Sequence, residues 1–246
     1  HRSAAFAACR YAIDTLTFGA AVYGGLGLPA LRPLGEVSQP GARTIATGWR
    51  FIATQPVLGG AFATDLLATL LAMPIAVFPA INDERFGGRA ETLGLFLSAI
   101  ALGGIAAGAA SGRATQAARP GVVMLAAAGV WGLGLAGFGL AQQLWLALGW
   151  LAVAGAADTL SVISRATIVQ LATPDSHRGR VSAVEHIIGV SGPDLGNFRG
   201  GLVASATTPT VAVVSGGLLC AVGVAALAAT ATPLRRFRIA EQAAPS

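Results

Sequence analysis

Asp158, Ser161 and Arg165 stand at i, i+3 and i+7 in the stretch GAADTLSVISRATIVQLA, which puts all three on one face if the stretch is helical. An acid, a hydroxyl and a guanidinium on one stripe suit proton transfer or the anchoring of a charged ligand. The two charges lie about 10 Å apart along a helix, too far to pair with each other. Asp194 and Asn197 share a second face by i+3 spacing, and Arg199 lies about 140° around from Asp194. Asp65 sits alone in an apolar run at a depth similar to Arg165, so Arg165 is expected to bridge to Asp65 or to a carboxylate outside this chain. Ionisable groups among apolar helices are costly in lipid, and each needs a partner or a polar cavity. Two readings stay open for them: an inter-helix ion pair that fixes packing, or a proton relay and substrate anchor. For a relay, Asp158 is preferred over Asp194, because a desolvated carboxylate can bind and release a proton near neutral pH.

Other chemistries find no support. The three histidines are His1, His177 in a basic loop, and His186 at a helix start. There is no His-x-x-x-His pair, no Gly-x-Ser-x-Gly turn and no lysine for a phosphate-binding loop. Ser161 has no base beside it. Cys9 and Cys220 lie in separate apolar runs and read as small core residues. The expectation is a protein that is not an enzyme and carries no metal and no cofactor.

The elements that must position these residues follow from composition. Of 246 residues, 54% are hydrophobic and 11% charged, against about 25% charged in ordinary soluble domains. Mean hydropathy is +0.68. The apolar residues come in runs of about 20, the length that crosses a bilayer as helix. A soluble enzyme and a disordered chain are both excluded. The fold class expected is all-α, a polytopic transmembrane bundle of about seven spanning helices. Net charge is +5, but every basic residue is arginine and most sit in short loops. That is the pattern of membrane topology rather than of a nucleic-acid partner. The bilayer is the partner it implies.

The apolar runs cover about Tyr11–Leu28, Val57–Ile81, Thr92–Ser111, Val122–Ala141, Leu144–Leu171, Val181–Ala206 and Val211–Thr230. Between the first two lies a polar stretch ending in the amphipathic TIATGWRFIATQP, suited to the headgroup region. The organisation expected is a truncated helix at 1–29, a cytoplasmic linker at 30–56, a six-helix bundle at 57–232 and a cytoplasmic tail at 233–246. Because the chain opens on His1, without a signal-peptide layout, it is expected to begin partway through a longer protein. Arginines concentrate in alternate loops, with Arg32, Arg43, Arg50, Arg113, Arg119, Arg178, Arg180, Arg235, Arg236 and Arg238 in one set. That set is expected inside, and the acidic loop NDERFGGRAE outside.

Small residues recur every fourth position. Gly104, Gly108 and Gly112 share one face of the third run, and Gly192, Gly196 and Gly200 one face of the sixth. Such stripes let helix backbones approach closely, either as static packing or as a sliding surface.

The stretch GAADTLSVISRATIVQLATPDSHRGRVSAVEHI resembles the tenth helix, following loop and eleventh helix start of a bacterial branch of the major facilitator superfamily, the transmembrane secretion effectors. YAIDTLTF resembles the start of that branch's sixth helix, and GWRFIATQPVLGG its central loop. The resemblance implies the C-terminal half of a twelve-helix transporter plus the preceding helix, with the N-terminal half of the same protein as a missing partner. It implies proton-driven efflux of small organic molecules, from siderophores to drugs, through a cavity lined by the second and fifth runs with Asp65, Asp158 and Arg165; Ser161, Asp194 and Asn197 join this expected substrate or proton pathway by their helix faces. The competing readings are a transport-inactive scaffold and a passive channel. Gly112, Arg113 and Arg119 resemble a degenerate form of a superfamily loop signature, and Arg178-Gly179-Arg180 a second basic turn. In the family such arginines contact helix ends and favour one conformation, as suits a cation beside a helix C-terminus. The segment PDLGNFRGG departs from the resemblance, since relatives carry carboxylates where Asn197 and Arg199 stand here.

Overall fold

The computed structural model describes residues 42–115 and 119–239, and every regular element among them is helical. The run expected over Tyr11–Leu28 and the first part of the linker lie outside the described residues, as do residues 240–246 of the tail. The helices are α1 (Ala42–Thr54), α2 (Pro56–Ala72), α3 (Phe78–Arg85), α4 (Ala90–Thr115), α5 (Pro120–Leu140), α6 (Leu144–Ala172), α7 (Arg178–Ala206), α8 (Pro209–Thr230) and α9 (Thr232–Arg236).

The run expected to be continuous from Val57 to Ile81 is broken. α2 stops at Ala72, Met73 is extended with ψ 116°, and a 3₁₀ turn at Ile75–Val77 leads into α3. Pro74 is the cause, because it lacks an N–H and its ring pushes the preceding residue out of the helical region. The gap orphans backbone donors. One of them, the Ala76 N–H, donates to Asn197 Oδ1 of α7 at 3.0 Å. The acidic loop is also shorter than its sequence suggests. Asn82–Arg85 finish α3, and Gly87 and Gly88 make the turn at φ 80° and 67°, a backbone region that glycine enters without steric cost.

Among the described residues, five segments are long and apolar enough to cross a membrane: Pro56–Arg85 counted across its break, Ala90–Gly112, Pro120–Leu140, Leu144–Ala172 and Pro209–Thr230. α7 reaches about 43 Å by its 29 residues, but Glu185, His186, Asp194, Asn197 and Arg199 keep it out of that set. Large apolar side chains coat the outside, with Leu102 64%, Ile105 68% and Val222 66% exposed. In water such a surface would drive aggregation, whereas in lipid it is the ordinary coat of a bundle.

α5 is the central helix and packs against α2, α6 and α8. Glycine backbones set the closest approaches. A Cβ on Gly103 of α4 would stand 1.9 Å from the Ala152 carbonyl oxygen of α6, and one on Gly155 would stand 2.1 Å from that of Ile100. Between α7 and α2, a Cβ on Gly196 would stand 2.0 Å from the Thr69 carbonyl oxygen, and one on Gly192 2.7 Å from Thr69 Oγ1. Gly200 continues that buried face. The other stripe differs from expectation. Gly104 meets Thr159 of α6, but nothing lies within 4 Å of a Cβ on Gly108 or Gly112. The α4 contact runs through Gly103 instead, 100° around the helix from that stripe.

The two ends of the bundle are built differently. At one end Phe78, Phe86, Phe96 and Phe138 join α3, α4 and α5 through edge-to-face rings with centroids 5.3–5.7 Å apart. There Arg85 Nη1 donates to the carbonyls of Gly139 (2.7 Å) and Ala141 (3.0 Å), and its Nη2 to Thr210 Oγ1. A cation thus closes the C-terminus of α5, satisfies its orphan carbonyls and ties it to the start of α8. At the other end a Cβ on Gly48 of α1 would stand 2.5 Å from the Arg180 carbonyl oxygen. Phe51 stacks on His177, and the backbone at Gly121 presses on Leu234 of α9. The amphipathic helix α1 therefore docks Gly48 and the buried Ile52 on the bundle and leaves Trp49 and Arg50 exposed.

Two outcomes follow for thermal unfolding in detergent. Gly196→Ala should destabilise by about 1–3 kcal/mol through overpacking, while Gly108→Ala should be neutral or slightly stabilising. Arg85→Gln should cost about 2–3 kcal/mol through its lost charge-assisted bonds, against less than about 0.5 kcal/mol for the exposed Arg89→Gln.

Candidate functional site

α2, α5, α6 and α7 enclose a cavity of about 200 Å³. α6 presents Asp158, Ser161 and Arg165 to it on one stripe, as their spacing requires, and α2 presents Asp65 and Thr69. Trp131 of α5 forms part of the wall, and Gly189 and Pro193 of α7 face it one turn apart. Pro193 has no N–H, so the Gly189 carbonyl loses its intrahelical donor and is left as a polar group in the wall.

The charges are unequally satisfied. Arg165 Nη1 donates to Asp65 Oδ2 at 2.5 Å, with the two side chains only 12% and 15% exposed. Of the two partners left open by the sequence, the structure selects Asp65. Arg165 Nε and Ser164 Oγ are buried with no acceptor or donor partner among the described residues. A guanidinium has five N–H donors, so Arg165 keeps donors for a further anion. Asp158 is exposed on the cavity side and has no ion pair among the described residues. Its charge and those of Asp65 and Arg165 act on one another, and Glu185 of α7 acts on Asp65 as well.

The remaining expected site residues go elsewhere. Asn197 does not line the cavity but caps the break in α2, as described above, because that break leaves a donor that only a neighbouring side chain can satisfy. Asp194 is exposed on α7 and is not part of the cavity wall. Arg199 reaches α8, its Nη2 2.4 Å from where a Cβ on Gly216 would stand, beside the Leu71 carbonyl. Gly112 and Arg113 belong to the last turns of α4 rather than to a loop, and the side chain of Arg113 lies outside the described residues. Arg119 precedes α5, and Arg178, Gly179 and Arg180 form the first turn of α7. These arginines stand at helix N-termini, so the expected complement to a C-terminal dipole is not what places them. Arg178 pairs with Asp175 at 3.0 Å on the surface, a contact worth about 1 kcal/mol or less.

Sequence reasoning missed Trp131, Ser164, Arg85 and the Gly189 carbonyl. Pro193 within a helical run was the legible signal for the last of these, and Trp131 was one bulky ring among the glycines 129, 132 and 134.

Removing one half of the pair should expose its cost. Asp65→Asn leaves the Arg165 charge buried and should destabilise by about 3–5 kcal/mol, and adding Arg165→Gln should restore much of that. A double-mutant cycle on unfolding in detergent measures it, and additive effects would mean that the two groups do not interact.

A sequence model of the transmembrane secretion effector family matches residues 3–245. The chain is 31% identical over 214 residues to the enterobactin exporters of Shigella boydii serotype 18 (strain CDC 3083-94 / BS512) and of Escherichia coli O157:H7 (strain EC4115 / EHEC). Those alignments cover 87% of this chain and 51% of each relative, so the chain spans about half the length of the curated relatives it matches. No solved structure matches it significantly. A bundle of membrane-length helices around a charged cavity, matched to the family almost end to end, places this chain in the transmembrane secretion effector family of the major facilitator superfamily, to which it belongs.

Proposed function

We propose that this chain forms the C-terminal half, with the preceding helix, of a proton-coupled exporter of small organic molecules that works by alternating access in a bacterial cytoplasmic membrane. The observation that carries this reading is the pairing pattern in the cavity: Arg165 is held by Asp65, while Asp158 on the same stripe is left without an ion pair among the described residues. The Asp65 carboxylate is engaged by Arg165, whereas the Asp158 carboxyl at the cavity mouth is open to water or a ligand with which it can exchange a proton. In this reading Asp158 carries the proton, and the spare donors of Arg165 and the indole of Trp131 hold an anionic or aromatic substrate. The names of the relatives point to a catecholate siderophore of the enterobactin kind.

The cavity has the size of a partial site. Its volume of about 200 Å³ falls below the roughly 300–1,000 Å³ of pockets for drug-sized ligands. A second half, facing the exposed side of Asp158, supplies the remaining wall. Residues 30–56 then link the two halves, the arginine-rich end with the C-terminus faces the cytoplasm, and the end closed by Arg85 faces out.

In inverted membrane vesicles containing the protein, an imposed proton gradient should drive enterobactin uptake. Asp158→Asn should reduce that uptake to the rate seen without a gradient and leave exchange of labelled for unlabelled substrate intact. Gradient-driven uptake by Asp158→Asn at the wild-type rate would overturn Asp158 as the proton carrier. Flux through the wild type that ignores the gradient would identify a channel, and no flux at all a scaffold.

A further inference from the structure

Away from the cavity, the outer face of α5 is flanked by two apolar grooves. One, of about 440 Å³, runs between α5 and α8 past Val122, Gly129, Leu133 and Val224, and Arg235 stands in its wall. The other, of about 510 Å³, runs between α5 and α6 past Val153 and Leu160. Both grooves share Val122, Ala126 and Val130. These residues are spaced i, i+4 and i+8, so they form a single ridge with a groove on either side. From Val122 to Leu133 the first groove extends about 16 Å, roughly half of a 30 Å hydrocarbon core and so the depth of one leaflet.

The charge at the end of the ridge is on one sign only. The backbone at Gly121, in the first turn of α5, presses on Leu234, which brings the α5 N-cap Arg119 and the α9 residue Arg235 to the same end. Arg236 and Arg238 follow immediately. All four are exposed, and none has an acidic partner among the described residues. An apolar groove of about one-leaflet depth with Arg235 in its wall, and a shorter one of about 12 Å that shares its ridge and its end at Val122, match a molecule with two acyl chains and an anionic headgroup.

We propose that α5, α6 and α8 form a binding site for one anionic phospholipid, which straddles the Val122–Ala126–Val130 ridge with a chain in each groove and its phosphate on Arg119 and Arg235. The site is separate from the transport cavity and does not depend on the transport reading. It differs from general attraction to a basic protein surface in needing both the ridge and these two arginines.

Native mass spectrometry of the delipidated protein in detergent, supplied with phosphatidylglycerol or phosphatidylethanolamine of equal chain length, tests this. The wild type should retain one phosphatidylglycerol about thirtyfold more strongly than phosphatidylethanolamine, the scale set by two arginines near an anionic headgroup. Arg119→Gln/Arg235→Gln should bring that ratio near unity. Ala126→Phe, which raises the ridge, should weaken retention of both lipids. Arg178→Gln/Arg180→Gln, arginines outside the grooves, should keep the wild-type ratio. No preference in the wild type, or a preference that survives Arg119→Gln/Arg235→Gln, overturns the site. So does an equal loss in Arg178→Gln/Arg180→Gln, which would reduce the effect to overall charge.

Discussion

A carboxylate and a guanidinium set among apolar helices each cost several kcal/mol unless they find each other or water. Asp65 and Arg165 find each other, and much of the molecule's arrangement is a consequence. Their contact fixes the rotation of α2 and α6, since Asp65 must point at α6 and Arg165 at α2 across the space between them. Once Arg165 points that way, the i, i+3, i+7 stripe carries Ser161 and Asp158 to the same cavity. The unpaired acid therefore faces the cavity as a result of where the paired one is held.

The packing around that pair is of two kinds. α2 and α7 meet backbone to backbone through Gly192 and Gly196, and Asn197 laces α7 to the break that Pro74 makes in α2. Arg85 and the phenylalanine cluster lock the opposite end of α5 to α3, α4 and α8. These contacts are close or fully hydrogen-bonded and leave little room for independent motion of single helices. By contrast no atom of another helix stands within 4 Å of where a Cβ on Gly108 would be.

The helical bundle was legible because runs of apolar residues of membrane length admit few other structures. The cavity stripe on α6 was legible too, since helical spacing alone puts Asp158, Ser161 and Arg165 together. The roles of Asn197 and Gly103 were not. Asn197 was assigned by its own helix face, yet its partner exists only because Pro74, more than a hundred residues earlier, opens a backbone donor. Gly103 and Gly104 are adjacent in a glycine-rich run and both meet α6, but which of them comes closest to its backbone depends on a rotation of α4 that small residues do not specify. Arg85 was counted as topology, although its donors close a helix end whose sequence, FGLAQQ, carries no sign of a needed cation.

The outer surface of α7 is chemically mixed, unlike that of the helices around it. α7 has the length of a spanning helix but not the hydropathy, because Glu185, His186, Ser191 and Asp194 stand in the same helix as the exposed Val190, Leu195, Phe198 and Leu202. Against acyl chains such a surface would be penalised at each charge by about 2.5–3.5 kcal/mol on insertion scales. α4 and α8 show the alternative, with Leu102, Ile105 and Val222 turned outward and no charge beside them. α7 thus differs from α4 and α8 in carrying charge among its outward apolar side chains, and each such charge needs water, a polar headgroup or protein beside it.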